Sequence, residues 1–95
     1  MKIFKSIDDK FEAIGFKKID EDCYGVMYER EVPEFKFIQV LDLIHKSSGN
    51  HIVQSYDKNL RDTEGIGNTC VGLTMYEMKL CLKKMKKIGW KVKKN

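Results

Sequence analysis

The strongest constraint on this chain is where its apolar period changes. Ahead of Gly15 apolar residues recur at helical spacing, from Phe16 to Tyr56 they recur at every second position, and from Thr74 to Ile88 the helical spacing returns. That order defines an α+β chain: an N-terminal helix, an antiparallel β-meander of about four strands and a C-terminal amphipathic, lysine-rich helix. With 95 residues and a single proline, one domain over 1–95 is expected, holding one modest core. Such a core leaves no room for a multidomain enzyme or a repeat array.

Ile3, Phe4, Ile7, Phe11 and Ile14 share about 100° of a helical wheel, opposite Lys2, Lys5, Asp9 and Glu12. The helix starts either near residue 2 or at Ile7 with Ser6 as its cap, and Gly15 supplies a left-handed stop in both cases. Next come a short strand over 16–19, a polar turn over 20–22, and a strand over 23–32 with Tyr24, Val26 and Tyr28 on one face. Pro33 breaks the run because it cannot donate to a ladder. The longest strand is expected over 35–45, with Phe35, Phe37, Leu41 and Leu43 pointing one way and Ile38, Val40 and Ile44 the other. A turn over 46–50 leads to a strand over 51–56. Residues 57–70 show neither period, and a loop of that length is the first suspect for a binding element.

The last helix is the most strongly specified. Thr74 and Glu77 form a capping box, with Leu73 and Met78 placed for a hydrophobic staple. Its wheel assigns Met75, Met78, Cys81, Leu82, Met85 and Ile88 to the core and Lys79, Lys83, Lys84, Lys86 and Lys87 to solvent. Tyr76 and Leu80 fall among the lysines. Gly89 is the stop, and the tail beyond it frays unless Trp90 packs back.

The net charge of +4 hides an asymmetry: residues 1–78 hold ten Lys/Arg against fourteen Asp/Glu, and residues 79–95 hold eight Lys and no acid. Lysines on one helix face can match phosphates, which gives a nucleic-acid reading using Lys79, Lys83, Lys86 and Lys87 with Tyr76 as a stacking residue. The plainer reading is a solvated face, favoured because the acidic remainder repels a duplex and only Arg30 and Arg61 are arginines. Residues 67–74 have the glycine spacing of a phosphate loop but carry Leu73 where lysine is required, so nucleotide binding is not expected. His45 and His51 flank a turn and can begin a metal site, yet their same-face neighbours Leu43 and Val53 offer no third ligand. Cys23, Cys70 and Cys81 are odd in number with no CxxC pair, and only Cys70, in the long loop near a helix N-terminus, has a setting of the kind that lowers a thiol pKa; no base partner is identifiable. No cofactor and no enzyme activity are expected, and the setting is expected to be cytoplasmic, with neither targeting signal nor membrane span.

If both helices cover one sheet face, the other is left with Ile38, Val40, Ile44, Ile52 and Tyr56, a patch for a second copy or another protein. The alternative places one helix on each face, or rolls the sheet over its own core, and needs no partner. The segments 15–18, 24–30, 52–56 and 71–74 running into 77–80 resemble the small uncharacterised proteins encoded by bacteriophages and integrated mobile elements of Gram-positive bacteria. The resemblance spans most of the chain, carries no catalytic motif, and implies an accessory role in the bacterial host cell. The leading expectation is therefore a non-enzymatic protein-binding module, homodimeric or bound to another protein. Nucleic-acid binding through the lysine helix is the alternative.

Overall fold

The computed structural model describes residues 6–61 and 70–91. Along the chain these form α1 (Ile7–Ala13), β1 (Lys17–Asp22), β2 (Gly25–Val32), a 3₁₀ turn (Pro33–Phe35), β3 (Phe37–Ile44), β4 (Ile52–Asp57), α2 (Lys58–Arg61) and α3 (Met75–Lys87). The strands pair antiparallel in chain order, β1-β2-β3-β4, as one meander. The α+β class read from the periods is the observed one.

Local chemistry explains most boundaries. Ser6 Oγ accepts the Asp9 N–H at 3.1 Å, so α1 begins at Ile7, the shorter of the two expected starts; Ile3 and Phe4 lie outside the described residues. Gly15 follows α1 at φ +97°, where a Cβ would crowd the Arg30 side chain. The first hairpin turns later than expected. Residues 20–22 stay in β1, and the two-residue turn is Cys23–Tyr24, because Asp22 Oδ1 accepts both the Tyr24 and Gly25 N–H groups at 2.8 and 3.1 Å. That places Cys23 in an exposed turn and leaves Tyr24 exposed, not on the inner face of β2. Phe35 likewise leaves the long strand for the turn after Pro33, which closes on Lys36 at φ +55°, and it too is exposed. The segment 57–70, expected to be loop, opens with α2, and Cys70 makes an isolated bridge back to Tyr56; residues 62–69 lie outside the described residues.

Both α1 and α3 cover the same sheet face. Phe11 and Phe16 meet Val26, Tyr28, Leu41, Leu43, Leu80, Cys81 and Met85 in one core, with the Phe11 and Tyr28 rings 4.3 Å apart. On the opposite face the register brings Glu29, Val40 and Tyr56 into one row, and Lys58 at the start of α2 reaches across it to Glu29 at 3.0 Å. The two edges differ. β1 is wholly exposed, charged at five of six positions and bulged, features that discourage pairing with another chain. β4 has Cys70–Val71 laid beside it, with the Val71 N–H donating to the Ser55 carbonyl at 2.9 Å.

Candidate functional site

The capping box of α3 forms as read: Thr74 Oγ1 accepts the Glu77 N–H at 3.1 Å while Glu77 Oε1 accepts the Thr74 N–H at 2.8 Å. The helix is nevertheless rotated from the expected orientation. Its buried residues are Glu77, Leu80, Cys81, Lys84 and Met85, which moves the core arc by about 80° on the wheel at 3.6 residues per turn. Met75, Met78 and Leu82, expected in the core, are instead 88%, 39% and 55% exposed. Leu80, expected among the lysines, is in the core, and Lys84 is buried.

Two polar clusters hold this rotation. In one, Arg30 Nη1 pairs with Glu77 Oε2 at 2.8 Å and donates to the Ile14 carbonyl, while Nη2 donates to Gln39 Oε1 at 2.7 Å. Gln39 passes the chain on to Ser55 Oγ, and the guanidinium lies 4.1 Å from the Phe16 ring centre. In the other, Lys84 pairs with Asp8 and Glu21 at 3.1 and 3.0 Å, Lys18 joins the same two acids, and the Tyr28 hydroxyl donates to Asp8 at 2.6 Å. Burial alone would raise the Asp8 carboxyl, but hydrogen bonds from Tyr28, Lys18 and Lys84 outweigh it and hold it below its usual value. The hydrogen bond from Lys84 does the same for Glu21 against its own burial. Burial and the Asp8 contact together push the Tyr28 hydroxyl up. A buried lysine and glutamate at these positions have partners, so turning them inward is tolerable.

The outer face of α3 therefore carries two parallel strips. Met75, Met78 and Leu82 form an apolar one, and beside it Lys79, Lys83, Lys86 and Lys87 are all exposed, with Tyr76 51% exposed among them. None of these four lysines pairs with an acid among the described residues. The apolar strip continues through Met78 into a groove of about 480 Å³ along β4, whose lining mixes Val53, Val71 and Leu73 with Gln54, Ser55 and Cys70.

The expected sheet-face patch is only partly open. Ile38, Val40, Ile44, Ile52 and Tyr56 do share the face opposite α1 and α3, with Val40 across from Tyr56 and Ile44 across from Ile52. Val40 and Tyr56 are buried within the chain, however, in the row that Lys58 spans. Ile52 is exposed and Ile38 and Ile44 half-buried, so the available apolar surface is smaller than the sequence pattern implied.

His45 and His51 do meet across the β3–β4 hairpin, with rings stacked at 4.8 Å. The third group beside them is Trp90, whose ring lies 5.1 Å from each. His51 Nδ1 accepts the Lys46 N–H at 3.0 Å, leaving Nε2–H to donate to the Lys91 carbonyl at 2.7 Å. Trp90 packs back onto the core, behind Gly89 at φ +86°. Among the described residues no three His, Cys, Asp or Glu side chains gather as metal ligands would. Cys81 is buried, which pushes its thiol up to about 12, whereas Cys23 and Cys70 are exposed. Among the described residues no helix is long and apolar enough to cross a membrane.

In comparison with known proteins, no family model, no curated protein and no solved structure matches this chain.

Proposed function

We propose that this chain is a non-enzymatic accessory module that acts by binding another protein, with the outer face of α3 as its docking surface. The observation that carries the reading is the strip of Met75, Met78 and Leu82, exposed side by side on a helix whose other apolar residues are all at least partly buried, apart from Tyr76. Exposed methionines suit binding surfaces because the unbranched thioether adapts its shape to a partner. The resemblance to phage and mobile-element proteins adds a bacterial cytoplasmic setting to the proposal. A photo-crosslinking residue placed at position 75, with position 35 in the β2–β3 turn as control, tests it. A protein captured from position 75 alone, whose purified form binds the wild-type chain and not Leu82→Glu, supports the reading. Equal capture from both positions refutes it.

A second reading rests on Lys79, Lys83, Lys86, Lys87 and Tyr76, which do project together from one helix face and would place Tyr76 against a base. It requires affinity for a nucleic acid that falls steeply with salt and disappears when Lys79, Lys83 and Lys86 become glutamate. Homodimerisation through Ile44 and Ile52 is the third proposal. Light scattering that finds a monomer at high micromolar concentration removes it.

A further inference from the structure

Resting on the protein-binding reading above, we infer that the α3 surface takes an acidic amphipathic helix, with an apolar seam and carboxylates along one flank. Met75, Met78 and Leu82 stand at i, i+3 and i+7, the spacing of successive a, d and a positions where one helix packs along another. In that lettering Lys79 and Lys86 both occupy e positions, the flank where an opposing helix places its own charges. Among the described residues the other flank of the strip meets no charged side chain. It runs into the groove lined by Val53, Tyr56, Val71 and Leu73. A seated helix would thus feel cations along one side and, among the described residues, an uncharged wall along the other, which is a one-sided specification for its sequence.

Charge also decides against a second copy packed α3 to α3. The only acid on α3 is Glu77, and it is buried against Arg30 and the Thr74 N–H. A second copy laid antiparallel would set Lys79 against Lys86, and a parallel one would set Lys79 against the uncharged position 74 and Lys86 against the uncharged position 81. Neither arrangement offers a carboxylate. A phosphate backbone would answer the lysines but leave Met75, Met78 and Leu82 facing a polar strand. An acidic amphipathic helix satisfies both strips at once.

The test uses the full chain and three labelled helical peptides of about three heptads, all with leucine at a and d and with glutamate, glutamine or lysine at the flanking positions. Anisotropy titrations at low and moderate salt should rank them glutamate, glutamine, lysine, with each step about tenfold in affinity from two flanking pairs. Met75→Glu and Leu82→Glu should each weaken the glutamate peptide about tenfold or more while leaving the circular dichroism and melting curve unchanged, because both side chains are exposed. Lys79→Glu with Lys86→Glu should invert the ranking. Three peptides binding equally well, and all losing affinity in Leu82→Glu, would retain α3 as a docking face and overturn the acidic partner. Equal binding of the glutamate peptide to wild type and Leu82→Glu, matched by a DNA duplex or anionic vesicles, would overturn both. No binding by any peptide would do the same.

Discussion

Removing Arg30 should be costly because, among the described residues, it is the one cation facing a carboxylate that has almost no water. The Glu77 side chain is 6% exposed and that of Arg30 is 23% exposed. Arg30→Met takes away the 2.8 Å ion pair, the donor to the Ile14 carbonyl and the donor to buried Gln39 Oε1, and leaves the carboxylate held only by the Thr74 N–H. Breaking a buried pair from one side costs about 3–5 kcal/mol. Glu77→Gln is milder, since the amide oxygen keeps the Thr74 bond and the more exposed guanidinium finds water; about 1–2 kcal/mol is expected. A domain of this size has roughly 5–14 kcal/mol in total, and each kcal/mol moves its melting temperature by about 5 °C. Arg30→Met should therefore melt roughly 15–25 °C below wild type and Glu77→Gln about 5–10 °C below. Adding Glu77→Gln to Arg30→Met should recover part of the loss, because the stranded charge is gone. Urea and thermal unfolding by circular dichroism give all four corners of the cycle. A Glu77→Gln variant weaker than Arg30→Met, or a double variant no better than Arg30→Met alone, would refute the account of a buried charge kept in place by its partner.

The remaining expectations follow from equally local features. Asp8 and Glu21 are both held below their usual values, so the stability they supply is complete above about pH 4–5 and is lost as pH falls through their folded values. Asp8→Asn should be less stable at neutral pH and show a flatter acid limb in a denaturation series from pH 7 to 2. Native protein should react with two equivalents of a thiol reagent, at Cys23 and Cys70, and with the third only on unfolding, because Cys81 is buried and its thiol is pushed up to about 12; rapid labelling of all three would contradict the packing of α3. Gly25→Ala should cost about 2 kcal/mol or more by urea titration, since a methyl there collides with the Leu43 carbonyl on the paired strand.

Most of the architecture was legible because it rests on local signals. Ser6, Gly15, Pro33, the Thr74–Glu77 box and Gly89 each act on neighbours within five residues, and each stops or starts an element as its chemistry requires. The rotation of α3 was not legible for the opposite reason. A wheel sorts residues by hydropathy and sends Glu77 and Lys84 outward. Their inward turn depends on Arg30 in β2, Asp8 in α1 and Glu21 in β1, residues whose pairing only the assembled fold creates. The same mechanism hid the candidate site, since Met75, Met78 and Leu82 look like core until those ion pairs claim the buried arc. At the first hairpin the polar run 20–22 looks like the turn, whereas the Asp22 side chain caps a turn that begins after it. The sheet patch was placed on the right face by the period-two pattern; that Lys58 would reach back over Val40 was not foreseeable from a segment with no period of its own.

The contact between Lys84 and Asp8 joins positions 76 residues apart, and that separation bears on how the chain is made as well as on how it is held. Closing a loop of that length in the unpaired chain costs about 4 kcal/mol in chain entropy, roughly 2 kcal/mol more than a hairpin between successive strands requires. The meander can therefore pair early and α3 docks late. During synthesis the last strand is finished at Asp57 and α3 at Lys87, which at about 5–20 residues per second is a window of roughly 1.5–6 s. Throughout it Val26, Tyr28, Leu41 and Leu43 lack the cover that α3 brings, and until Cys70–Val71 lies beside β4 the charged, bulged strand β1 guards only one of the two sheet edges against a neighbour.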